Sequence, residues 1–139
     1  MLLVAVGVRA ADYNHFSEWI TASEMKRTPH PYNLNFSVWM PNWSYQTGVE
    51  LDGMLDVYTT NGDERLGKYL KEYSATMINA KGNITGYKYD DFNLDNVRPG
   101  HFLMRYYQLF PAKKDSLALD LLMSQLENQP RTDEGVWGH

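Results

Sequence analysis

Apolar residues recur three to five positions apart between proline and glycine stops, in segments that come as pairs, and this pattern most restricts what the chain can fold into. Residues 12–28 place Tyr13, Phe16, Ile20 and Met25 on one helical face and end before Pro29 and Pro31. Residues 44–61 carry Val49, Leu51, Met54, Leu55 and Tyr58, with Asn61-Gly62 as a C-terminal stop. Asp63 caps a third predicted helix, 63–80, with Leu66, Leu70, Tyr73 and Met77 as its stripe. A fourth is predicted over 95–110 with Pro111 behind it. A fifth covers 114–128, with Leu117, Leu121, Leu122 and Leu126 apolar and Pro130 at its end. Between them, 29–43 holds three prolines and reads as a loop extended over 36–40, and 82–91 reads as loop or a short strand pair. The predicted class is all-α.

The segments repeat. Gly48-Val49-Glu50-Leu51 and Gly100-His101-Phe102-Leu103 stand 52 residues apart at equivalent places in two helices, each followed by a polar turn and a second amphipathic helix. Helical hairpins of this kind bury their apolar faces only against neighbours on both sides. Two and a half hairpins therefore read as the beginning of an array.

Charge and length narrow the function. Thirteen Lys plus Arg against seventeen Asp plus Glu give a net charge of −4, without the basic concentration of a nucleic-acid binder. No apolar run reaches the ~20 residues that span a bilayer. With no Cys, thiolate nucleophiles and Cys-type zinc sites are excluded. The four Trp and ten Tyr combine apolar faces with polar tips, which suits sugar stacking as well as an aromatic core. Residues 1–11 open with an eight-residue apolar run and read as a truncated export signal, which points to a periplasmic or secreted protein.

Few motifs carry chemistry. Asp91, Asn93 and Asp95 have the first three spacings of a calcium loop, but Asn96 and Phe102 occupy the places of its Gly and Glu, so an EF-hand is rejected. His15, His30, His101 and His139 are too scattered for a zinc motif. Asp52 and Asp56, four apart, read as a solvated helix face. Asp95 stands where a long loop enters the fourth predicted helix, with Arg98 one turn later. There it is either a plain cap or a carboxylate stabilised by the helix N-terminus.

Ser23-Glu24-Met25-Lys26-Arg27, Trp43-Ser44-Tyr45-Gln46-Thr47-Gly48 and Leu94-Asp95-Asn96-Val97-Arg98-Pro99-Gly100-His101 resemble the N-terminal part of unsaturated glycuronyl hydrolases. More narrowly, the chain resembles the unsaturated rhamnogalacturonyl hydrolases of glycoside hydrolase family 105, kin to family 88. The resemblance implies a six-hairpin (α/α)6 toroid, of which residues 12–139 are the N-terminal third. It implies hydration of a 4,5-unsaturated uronic acid at the non-reducing end of a lyase-made pectin oligosaccharide, without metal or cofactor. A carboxylic acid protonates C4, water adds at C5, and the resulting hemiketal opens to release the next sugar.

By the same resemblance, Asp95 matches an aspartate at the start of an inner helix that assists the main acid, and Trp43 and Tyr45 match an aromatic pair that packs against the sugar. Arg98 has no family counterpart, but it lies within a turn of Asp95 and is suited to a uronate carboxylate. Gly135-Val136-Trp137-Gly138-His139 resembles a Trp-His-Lys segment with Gly138 inserted, which makes Trp137 and His139 candidates for the substrate site. The family's principal acid lies in a Trp-Leu-Asp-Gly stretch that this sequence lacks, so the chain by itself is expected to be inactive and to need the remaining part of the barrel. Two other readings stand beside this one. They are a family 88 hydrolase of glycosaminoglycan disaccharides, and a helical-repeat module that binds glycans or peptides without catalysis.

Overall fold

The computed structural model describes residues 13–35 and 41–137, so the export-signal reading of 1–11, the extended stretch over 36–40 and His139 lie outside the described residues. Among the described residues five α-helices follow one another: α1 (Phe16–Arg27), α2 (Tyr45–Asn61), α3 (Glu64–Met77), α4 (Pro99–Leu109) and α5 (Lys113–Asn128). Among the described residues the only extended pairings are two isolated bridges, Ile78 with Ile84 and Arg131 with Trp137.

Local chemistry accounts for most helix ends. The Ser44 hydroxyl accepts the Thr47 N–H at the start of α2, and Gly62 closes the helix with φ 65°, donating its N–H to the Tyr58 carbonyl at 2.8 Å. Asp63 caps α3 by accepting the Arg65 N–H at 2.9 Å. On α3 the predicted stripe is the observed one: Leu66, Leu70, Tyr73 and Met77 are all buried. Further along the chain, α4 opens with Pro99 in its first turn, where a missing N–H costs no helix hydrogen bond.

Three elements depart from the sequence reading. Helix α1 starts at Phe16, with His15 as its cap and the Glu18 carboxylate accepting the His15 N–H. It turns Thr21 and Glu24 inward and leaves Phe16 67% exposed, because its apolar residues do not form one stripe: Met25 packs against the core, whereas Phe16 and Ile20 stay exposed. Val49 is exposed on α2, on the line Tyr45, Val49 and Gly53, whose residues are all open to solvent. On α5 the buried line is Asp115, Ala118, Leu122 and Gln125, whereas Leu117, Leu121 and Leu126 are half-buried. Two polar residues inside that line hid it from a hydropathy reading. Each has partners: Asp115 accepts from the Ser74 hydroxyl and the Lys114 ammonium, both at 2.7 Å, and Gln125 is held between Tyr87, Asn93 and Gln129.

The helices pair as hairpins, α2 with α3 and α4 with α5, and the broadest packing is between α2 and α4. Contacts advance together along both, from Gly48 against Pro99 to Asp56 against Arg105, so α2 and α4 run parallel. The repeated glycines permit close approach, Gly48 between α2 and α4 and Gly100 between α4 and α5. A Cβ on Gly48 would stand 2.7 Å from the Pro99 Cα, and one on Gly100 would stand 2.8 Å from a Leu122 methyl. Gly48→Ala is therefore expected to destabilise the protein by about 1–3 kcal/mol in a urea melt, since the neighbouring backbone cannot yield cheaply. Gly53→Ala on the same helix meets nothing within 4 Å and is expected to be neutral or stabilising by up to ~1 kcal/mol.

The core between the hairpins is aromatic. Trp43 stacks on Tyr73 at 6.2 Å between ring centres, Tyr73 meets the Phe102 ring edge-on at 5.9 Å, and Phe102 packs on Tyr106 at 5.6 Å. The Tyr73 hydroxyl donates to the Asn42 carbonyl at 2.9 Å, and burial pushes its ionisation far above the usual range, so it stays a neutral donor.

Candidate active-site groove

The segment before α4 is built as a shelf. Residues Tyr89–Asp91 and Leu94–Asn96 each form one 3-10 turn, and Phe92 between them adopts φ 48°. The shelf is fastened from below. The Gln129 amide donates to the Phe92 carbonyl at 2.7 Å, the Gln125 amide to the Asn93 carbonyl at 3.3 Å, and the Trp43 indole N–H to the Asn96 carbonyl at 2.8 Å. The Asn93 side chain then accepts the Asp95 N–H at 2.9 Å. These bonds fix the backbone and leave the Asp95 carboxylate exposed.

Asp95 therefore does not cap α4. The helix begins four residues later, and Arg98 is the residue that precedes its first turn. Pro99 explains the displacement: its ring restricts the residue before it and its nitrogen cannot join a helix begun at 95.

Asp95 lies at the edge of a groove of about 630 Å³. Tyr45, Arg98 and Trp137 line the same groove, so with Asp95 four of the six site residues proposed from sequence come together there, and His101 joins them. Tyr45 and Trp137 are each about half exposed, and the Arg131 guanidinium lies over the Trp137 ring at 5.4 Å. The far wall is apolar and comes from α4 and α5, through Met104, Leu119, Met123 and Leu126. His139 lies outside the described residues. Trp43 is corrected: it is buried in the aromatic core, where it steadies the shelf instead of presenting a face to the groove.

A charged cluster under this edge is what the sequence reading missed. Asp52 is not part of a solvated face; it is 7% exposed and lies between α2 and α4. Its Oδ2 accepts from Arg98 Nη1 at 2.7 Å and from His101 Nδ1 at 2.8 Å, and its Oδ1 accepts from Arg105 Nη1 at 3.2 Å. Arg105 also donates to Asp56, and these hydrogen bonds raise the ionisation of its guanidinium. Two carboxylates against two guanidiniums leave the cluster neutral when His101 is neutral. A signal was present: Arg98, His101 and Arg105 fall at i, i+3 and i+7, one face of a helix, and Asp52 and Asp56 at i and i+4. Nothing local says that the two faces meet.

Among the described residues, no three His, Asp or Glu side chains are grouped to hold a metal ion, and no helix is long and apolar enough to cross a membrane. The arrangement offers an exposed carboxylate on a fixed backbone, two aromatic faces and a guanidinium around one groove. That set suits a sugar carrying its own carboxylate.

Comparison with known proteins bears on the family and the fold. The family model for Glycosyl Hydrolase Family 88 matches residues 16–139. The solved structure of a family 105 glycoside hydrolase from C. acetobutylicum ATCC 824 is similar at 28% identity and a TM-score of 0.75, over 89% of this chain. The chain spans 32% of the length of that hydrolase. Its five helices are those of part of an (α/α)6 toroid, in agreement with the hairpin repeat.

Proposed function

This chain belongs to Glycosyl Hydrolase Family 88, and we propose that it forms one side of the cleft of a hydrolase acting on 4,5-unsaturated uronic acid at the non-reducing end of lyase-made pectin oligosaccharides. The observation that carries this reading is the Asp95 carboxylate, held on a fastened shelf at the edge of a groove shared with Tyr45, Arg98 and Trp137. Tyr45 and Trp137 stack on sugar rings, and Arg98 faces the uronate carboxylate. Asp95 assists protonation at C4 and the addition of water at C5, after which the hemiketal opens and the aglycone leaves. The principal acid belongs to a Trp-Leu-Asp-Gly stretch of the remaining hairpins. On this reading residues 12–139 are the N-terminal third of the toroid, the next hairpin covers the apolar wall of Met104, Leu119 and Met123, and residues 1–11 direct the protein out of the cytoplasm.

The family 88 match favours one other reading, in which the unsaturated uronate is glucuronyl and the substrate a glycosaminoglycan disaccharide. The ultraviolet absorbance of the unsaturated uronate separates the two. It is followed with pectin and glycosaminoglycan disaccharides, on this chain and on the chain joined to the remaining family hairpins. The expected result is loss of the band with pectin disaccharides and the joined chain only. Loss with glycosaminoglycan disaccharides alone supports the second reading, and persistence of the band on both substrates overturns both.

A further inference from the structure

We propose that Asp52 is a positioning residue that holds Arg98 and His101 at the groove, so that this edge selects ligands bearing a free carboxylate over their neutral esters. The proposal rests on the uronate reading above and adds to it two residues, Asp52 and His101, that the sequence reading did not place in the site.

The argument begins from cost. A lone carboxylate between two helices loses hydration that only several donors replace, and removing its partners would leave an uncompensated buried charge. Asp52 has three donors, and they divide by position. Arg98 and His101 line the groove, whereas Arg105 does not and is tied to Asp56 instead. Arg105 thus anchors the carboxylate from behind, and Asp52 in turn orients the two residues in front.

Arg98 suits such a bridge. Its guanidinium is a rigid planar fork of five donors, and the bond from Nη1 to Asp52 fixes that plane while other donors stay available. A planar carboxylate matches such a fork with two parallel hydrogen bonds, and a methyl ester does not. His101 spends Nδ1 on Asp52, and its ring remains half exposed. Because the cluster is formally neutral, its selectivity comes from where the donors point and not from excess positive charge. The repeated glycine at Gly48 makes this possible, since it lets α4 approach α2 closely enough for Asp52 to reach both.

The test is titration of the chain joined to the remaining family hairpins, carrying Asp95→Asn so that the ligand persists, with the unsaturated pectin disaccharide and with its methyl ester, followed by calorimetry and by the arginine side-chain signals in NMR. The parent is expected to prefer the free acid by about tenfold or more, the value of a net charge-assisted pair. Asp52→Asn is expected to bring that ratio near one while ester affinity stays within about twofold. Asp52→Glu keeps the charge and displaces the carboxylate, so it too is expected to lower the ratio, and it decides the matter where Asp52→Asn does not fold. A structural pin alone would shift the melting temperature and leave the acid-to-ester ratio unchanged. An unchanged ratio, or tighter acid binding in Asp52→Asn, overturns the proposal. If the parent binds acid and ester equally, the proposal falls while the absorbance assay still stands for the uronate reading. If the parent binds neither, the proposal falls together with that reading.

Discussion

Asp95→Asn is expected to lower turnover of the unsaturated disaccharide by about a hundredfold to ten-thousandfold, the range for a lost proton-transferring side chain. Thermal stability is expected to stay within about 0.5 kcal/mol of the parent. The two expectations come from the same geometry. What holds the shelf is backbone: the Asn93 side chain accepts the Asp95 N–H, and the Trp43 indole holds the Asn96 carbonyl. The carboxylate itself is exposed and is spared structural duty, and Asn has nearly the same shape. A carboxamide cannot deliver and recover a proton as a carboxylic acid does. The measurement is made on the chain joined to the remaining family hairpins, with kcat and KM determined separately and a melt run in parallel. Activity within about twofold of the parent would remove Asp95 from the chemistry and leave the shelf a structural turn.

Phe102→Ala is expected to destabilise the protein by about 3–5 kcal/mol in a urea melt, a large part of the roughly 5–15 kcal/mol that a domain has. Phe102 is 0% exposed and stands between the two hairpins. Its loss removes the ring that Tyr73 meets edge-on and that Tyr106 packs against. Since Tyr73 also stacks on Trp43, the vacancy reaches the residue that fastens the shelf, so ligand affinity is expected to weaken along with stability. Met104, two positions further along α4, is 46% exposed, and Met104→Ala is expected to change stability by no more than about 0.5 kcal/mol. Equal costs for the two substitutions would mean that the aromatic ladder is not the core of this fold.

Much of the architecture was legible because its causes are local. Ser44, Asp63, Gly62 and Pro111 act on the few residues beside them, and they place helix ends within a few positions wherever the rest of the chain lies. The stripe on α3 was legible because it is purely apolar. On α5 it was not, because Asp115 and Gln125 take buried positions by virtue of partners on α3 and on the shelf. The resemblance to family 88 and 105 hydrolases was legible too, since it lies in short runs such as Leu94-Asp95-Asn96-Val97-Arg98-Pro99-Gly100.

The sequence by itself thus determined the helical class and the pairing into hairpins, and it singled out Tyr45, Asp95, Arg98 and Trp137, which the fold brings to one groove. The tertiary structure decided what those residues are attached to. It moved Asp95 off the helix and onto a shelf, and it turned Trp43 inward. It also made Asp52, which reads as a solvated residue, the buried partner of Arg98 across 46 positions and of His101 across 49. Helix periodicity reports which side chains share a face, and capping reports where a face ends. Neither reports which two faces meet. That depends on how closely α2 and α4 approach, and so on a glycine whose missing side chain matters only when Pro99 is beside it.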